Sequence, residues 1–148
     1  MKAAPTNPLN TMTNTHTGGC LCGQINYQFS SEPIAAVHCH CKDCQKATGS
    51  GFATVFGLAE SDVEIDGLAQ LGTFTLTAES GQKVSRQFCT QCGSPLFTLA
   101  ENNPEFIWIK AGSLDDSNWL IPTYSCWTHS AANWAPPDTT LNQHSKNP

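Results

Sequence analysis

Apolar and polar side chains alternate along several short stretches of this chain. In residues 24–30, Ile25, Tyr27 and Phe29 lie on one face of an extended backbone, and the polar residues between them lie on the other. Runs this short, bounded by Gly, Pro, Asn or Ser, are typical of strands in an all-β fold. We predict strands at residues 24–30, 34–38, 52–58, 62–66, 71–77, 83–88, 96–99 and 106–110.

Helical periodicity is weak by comparison. No segment keeps an apolar period of 3.6 over about ten residues or more, although residues 43–47 could form one helical turn before Gly49. The pattern therefore predicts a mostly β fold with short helical turns.

The length of 148 residues fits one domain. Both ends are rich in Pro, Asn and Thr and poor in apolar residues, which is typical of disordered tails. We predict a tail at residues 1–17, a folded domain at 18–135 and a second tail at 136–148.

Charge and hydropathy narrow the partners that we expect. The formal net charge is −5, and cysteine thiolates would make it more negative, which argues against nucleic acid as the main partner. No apolar stretch approaches the roughly 18 residues that a membrane-spanning helix needs. We expect a protein that binds neither nucleic acid nor membrane.

Eight cysteines in a chain this short require an explanation. In a secreted protein they would suggest a disulfide framework, but the N-terminal residues lack the basic and apolar regions of a secretion signal. We therefore expect a cytoplasmic protein with reduced thiols, and clusters of reduced thiols usually bind metal. Disulfides remain the less favoured alternative.

Two of the three cysteine clusters are pairs. Cys20 and Cys22 are separated by one residue and would point to the same face of an extended backbone. Cys89 and Cys92 are separated by two residues and precede Gly93, a spacing that turns both sulfurs toward one ion. A structural zinc site needs four ligands, so we predict that the two pairs together close one site.

The third cluster holds Cys39, Cys41 and Cys44. Three thiolates are enough to hold a metal ion with one vacant position, which is the arrangement of a catalytic site. The alternative is a closed structural site, with Cys126, His38 or His40 as the fourth ligand. His40 is the weakest of these candidates, because an extended Cys-His-Cys segment turns its side chain to the opposite face. Iron is a further alternative to zinc, because four thiolates also hold iron or iron-sulfur clusters.

Four segments together resemble the glutathione-dependent formaldehyde-activating enzyme family, which includes the centromere protein V domain. They are residues 18–27, 38–50, 88–95 and 111–116. The resemblance implies an Mss4-like twisted β fold with two Zn²⁺ ions per chain. One is a structural ion held by Cys20, Cys22, Cys89 and Cys92, and the other is a catalytic ion held by Cys39, Cys41 and Cys44.

The resemblance also implies a reaction. The expected activity is that of a carbon-sulfur lyase acting on a formaldehyde adduct of glutathione, or on a related adduct of another small thiol and aldehyde. A zinc ion with three thiolates is better suited to binding a fourth thiol than to activating water. Lys42, Lys46 and Arg86 lie near the clusters in sequence and could contact carboxylates of glutathione, although ordinary solvated charges are the favoured interpretation. The alternatives are a non-catalytic zinc module that binds another protein, and a sensor of thiol or zinc stress.

Overall fold

The computed structural model describes residues 14–148. Its element order is β1 (His16–Gly19), β2 (Asn26–Phe29), β3 (Ala35–Cys39), α1 (Lys42–Thr48), β4 (Ala53–Ala59), β5 (Glu64–Asp66), β6 (Leu71–Thr77), β7 (Lys83–Cys89), β8 (Pro95–Ala100), β9 (Phe106–Lys110), β10 (Tyr124–Cys126) and β11 (Asn142–Gln143). Short 3₁₀ turns occur at Glu60–Asp62, Leu68–Gln70, Ala111–Ser113 and Thr128–Ser130. The prediction of a mostly β fold with short helical turns is confirmed.

The strands divide between two sheets. A large sheet has the order β11-β10-β3-β4-β9-β8-β7-β6, and a small sheet has the order β1-β2-β5. Pairing is antiparallel except where β10 runs parallel to β3 and to β11. The small sheet forms a second layer, because the apolar face of β2 packs against the large sheet.

The main core lies between these sheets. Tyr27 of β2 packs edge-on against Phe97 of β8, with ring centroids 5.5 Å apart, and Phe29 lies at the same distance from Phe56 of β4. Phe56 and Phe97 have no exposed surface. The alternating apolar residues in 24–30 therefore hold the small sheet against one face of the large sheet. The opposite face of the large sheet is left uncovered by the small sheet.

The C-terminal segment differs from the predicted disordered tail. The Lys146 carbonyl accepts a hydrogen bond from the Trp127 backbone at 3.1 Å, and the His144 backbone donates one to the Ser125 carbonyl at 2.9 Å. Backbone pairing rather than apolar burial holds this segment, so its polar composition did not reveal it. The predicted boundary at residue 135 stays a prediction, and most of the predicted N-terminal tail lies outside the described residues.

Candidate metal centres

Two tight turns position the cysteine pairs. Cys20 follows β1, and the Gly23 backbone donates to its carbonyl at 3.1 Å. Cys89 ends β7, and the Gly93 backbone donates to its carbonyl at 2.8 Å. Both glycines have a positive φ, of 81° and 79°, a conformation that other residues rarely adopt. Cys20 and Cys22 thus lie on a turn, which corrects the extended backbone that we expected for them.

The turns bring the four sulfurs of Cys20, Cys22, Cys89 and Cys92 together. All four lie within 4.8 Å of one another. The Cys20 and Cys22 sulfurs are 3.6 Å apart, and those of Cys22 and Cys89 are 3.8 Å apart. A tetrahedral site with metal-sulfur bonds of about 2.3 Å requires sulfurs about 3.8 Å apart. The set is therefore suited to a metal ion without rearrangement.

Hydrogen bonds around this tetrad stabilise thiolates. The Ile25 backbone donates to Cys20 Sγ at 3.2 Å. Hydrogen bonds from the Ser94 side chain and backbone lower the pKa of Cys92 to about 5. A hydrogen bond from the Gln24 backbone favours the Cys22 thiolate, but burial and the neighbouring cysteines raise the pKa of Cys22 to about 12. A bound cation would overcome this mutual repulsion, as it does in thiolate sites generally.

The second cluster is built where β3 passes into α1. Cys39 ends β3, Cys41 is the N-terminal cap of α1, and Cys44 lies in its first turn. The Cys44 backbone donates to Cys41 Sγ at 3.2 Å, and the three sulfurs lie within 4.8 Å of one another. Gln45 holds the helix in place by donating to the His40 carbonyl at 2.8 Å and to the Ser130 carbonyl at 3.0 Å.

The three thiols of this trio do not ionise alike. Hydrogen bonds with Cys39 and Cys41 lower the pKa of the Cys44 thiol. A hydrogen bond with Cys126 is the largest cause that raises the pKa of Cys39, and hydrogen bonds with Cys39 and Cys44 raise that of Cys41. A soft divalent ion is the species that would hold all three as thiolates.

None of the candidate fourth ligands joins the three sulfurs as a group. His38 and His40 alternate with Cys39 along the chain, and both rings lie 4.9 Å from that of Phe52. His38 Nδ1 is also 2.8 Å from Thr54 Oγ1. Cys126 pairs with Cys39 in the parallel register of β10 and β3, but its sulfur lies outside the set of three.

The trio opens into a cleft of about 580 Å³ on the outer face of the large sheet. Alternate strand residues line this face, including Val37, Val55, Arg86, Trp108 and Lys110. A second cleft, of about 790 Å³, contains Cys20 but none of the trio. Chemistry at the trio therefore belongs to the smaller cleft, which lies within the usual range of ligand pockets.

Positive charge in the cleft comes from residues that the sequence only partly indicated. Arg86 and Lys42 line it, whereas Lys46 does not. Lys110 was missed, although its side chain is only 8% exposed. The available signal was its position two residues after Trp108 in a predicted strand, which places both side chains on one face.

The sequence profile of a family described as "Glutathione-dependent formaldehyde-activating enzyme" matches residues 15–130. A Halomonas elongata protein named "Putative glutathione-dependent formaldehyde-activating enzyme" is 28% identical over 113 residues, which is 66% of this chain and 64% of that protein. The match thus spans less than two thirds of the relative.

A crystal structure of a Rhodobacter sphaeroides protein has a similar fold, with a TM-score of 0.56 and 21% sequence identity. The alignment covers 72% of this chain and 97% of that protein. At this identity the similarity supports the fold alone.

Proposed function

Because the chain belongs to the glutathione-dependent formaldehyde-activating enzyme family, we propose that it is a carbon-sulfur lyase, which makes and breaks the bond between a small thiol and a small aldehyde. Glutathione and formaldehyde are the leading pair. The observation that carries the proposal is the trio of Cys39, Cys41 and Cys44 within a cleft large enough for a ligand.

We also propose that both metals are zinc. The tetrad of Cys20, Cys22, Cys89 and Cys92 would hold a structural ion, because its four neighbouring sulfurs are the number of ligands that a closed tetrahedral site requires. The trio would hold the catalytic ion, because its three sulfurs leave a coordination position for substrate. When bound there, zinc would stabilise the thiolate form of the substrate sulfur.

The chain's own residues prepare this position. Cys41 and Cys44 are fixed relative to each other by the first turn of α1, and Cys39 is fixed by its pairing with Ala53 of β4. In the reaction the substrate sulfur bonds to the carbonyl carbon, the C=O π bond opens, and the oxygen takes up the proton that the thiol lost. The reverse reaction breaks the same C–S bond, so no oxidant or reductant is required.

Exchange NMR tests the activity. Zinc-loaded protein should raise the rate at which S-hydroxymethylglutathione exchanges with free glutathione and formaldehyde, above the spontaneous rate. Cys41→Ser should return the exchange to the spontaneous rate, because the sulfur that completes the trio is lost. Circular dichroism of the variant should match the wild type. Glutathione binding without faster exchange would instead identify a non-catalytic binding module.

A further inference from the structure

Arg86 and Lys110 lie on the same face of the large sheet, beside the trio. Arg86 of β7 pairs with Thr98 of β8, and Thr98 pairs with Trp108 of β9. Lys110 follows Trp108 by two residues and so lies on the same face. Its Nζ donates a hydrogen bond to Thr98 Oγ1 at 2.8 Å. Two cationic side chains from neighbouring parts of the sheet thus enter one cleft.

Neither cation has an acidic partner in the part of the chain that the structure describes. The one ion pair among residues 14–148 joins Lys146 to Glu79, at 3.5 Å. Arg86 Nε and Nη1 are buried there without a hydrogen-bond partner. Asp43 and Glu79 also line the cleft, but neither carboxylate lies within 4.0 Å of Arg86 or Lys110. Two buried guanidinium nitrogens without an acceptor are costly, so an acceptor on a ligand would relieve that cost.

The two cations share a cleft with the trio. Arg86 and Lys110 line the same cavity of about 580 Å³ as its three cysteines. The cleft lining as a whole carries both signs of charge, because Lys42 adds one positive charge and Asp43 and Glu79 add two negative ones. Since neither carboxylate pairs with Arg86 or Lys110, the positive charge at these two side chains is not neutralised locally and favours an anionic ligand.

We propose that Arg86 and Lys110 form a carboxylate subsite, which binds a carboxylate of the thiol substrate while its sulfur occupies the trio. The planar guanidinium offers a pair of N–H donors that fits a carboxylate, and Lys110 supplies a second charge beside it. This inference rests on the proposed function. It defines the substrate class as thiols that carry a carboxylate.

Matched thiols test this subsite. The probes are 3-mercaptopropionate and its methyl ester, which differ in one negative charge, added to protein loaded with Co²⁺ as a visible reporter of sulfur binding. Wild type should bind the acid about tenfold more tightly than the ester. Arg86→Gln should remove most of this preference by weakening binding of the acid, because only the charge of Lys110 remains, with little change for the ester.

The control variant is Lys83→Gln. Lys83 lies on the same strand as Arg86 but is exposed and outside the cleft, so its loss should leave the preference intact. If Arg86→Gln fails to fold, Arg86→Lys provides a second test. This variant keeps the positive charge but lacks the paired N–H donors of the guanidinium, so its affinity for the acid should fall about threefold.

Equal binding of acid and ester by wild type would overturn the subsite and leave the proposed function standing. Absence of binding by either thiol would overturn both.

Discussion

Tyr27 shows how one buried side chain connects the core to the site. Its hydroxyl lies 2.7 Å from Ser113 Oγ, and Ser113 Oγ donates to the Lys110 carbonyl at 2.7 Å. Because the Ser113 proton is used in that bond, the Tyr27 hydroxyl must donate to Ser113. Burial raises the pKa of Tyr27 to about 12, against a usual value of about 10. Only protonated Tyr27 fits this arrangement.

Alkaline unfolding tests this role of Tyr27. Because the pKa is raised on folding, its contribution is complete below about pH 10 and is lost as the pH rises toward 12, by about 2 to 3 kcal/mol in total. Tyr27→Phe should cost about 1 kcal/mol at neutral pH and reduce the alkaline loss. Denaturant titrations of metal-loaded protein at pH 8 and pH 11 measure both effects. The same alkaline loss in variant and wild type would contradict this account.

At the scale of elements, each strand predicted from alternation is present. The three strands that were missed share a different origin. β1 contains two glycines, β10 has three residues and β11 has two, so none has an apolar pattern long enough to recognise. These strands exist because they pair with neighbours, and a single sequence does not reveal such pairing. The short α1 was indicated only as one turn.

Close approach explains why β1 tolerates glycine where a strand usually carries a larger residue. A Cβ at Gly18 would collide with the Tyr27 hydroxyl and the Ser113 carbonyl. Gly112 lies in an open position by contrast, because a Cβ added there would have no neighbouring atom within 4 Å.

Gly18→Ala should therefore destabilise the protein by about 1 to 3 kcal/mol, because Tyr27 and β1 must move apart. Gly112→Ala is the matched control and should change stability by less than about 0.5 kcal/mol. Urea unfolding midpoints of the metal-loaded variants provide the comparison. Equal effects would show that β1 does not pack as closely on Tyr27 as described.

For the whole molecule, cysteine spacing was more informative than any other pattern. It predicted the partition of seven sulfurs, and the structure brings the same sulfurs together as a group of four and a group of three. The roles of the two groups as structural and catalytic sites stay predictions. Arg86 and Lys110 could not be assigned to the cleft from sequence, because their proximity depends on the pairing of β7, β8 and β9.

The location of the chain in the cell also stays a prediction. Among residues 14–148 no helix is long and apolar enough to cross a membrane.

The two groups of cysteines differ in what their loss should do. The tetrad joins the turn after β1 to the turn after β7, and a structural zinc site can contribute on the order of 10 kcal/mol to folding. The trio lies on the outer face of the large sheet, where it packs against a small apolar cluster, and the main core on the opposite face does not include it. Loss of the metal from the tetrad should therefore unfold the chain, and loss of the metal from the trio should leave the fold in place.

Metal content of purified variants tests the division into a closed and an open site most directly. Wild type should contain two zinc ions per chain, folded Cys41→Ser should contain one, and Cys126→Ser should retain two, because the Cys126 sulfur lies outside the trio. If Cys126→Ser contained only one zinc ion, the second site would be closed by four protein sulfurs, and the account of an open catalytic position would be wrong.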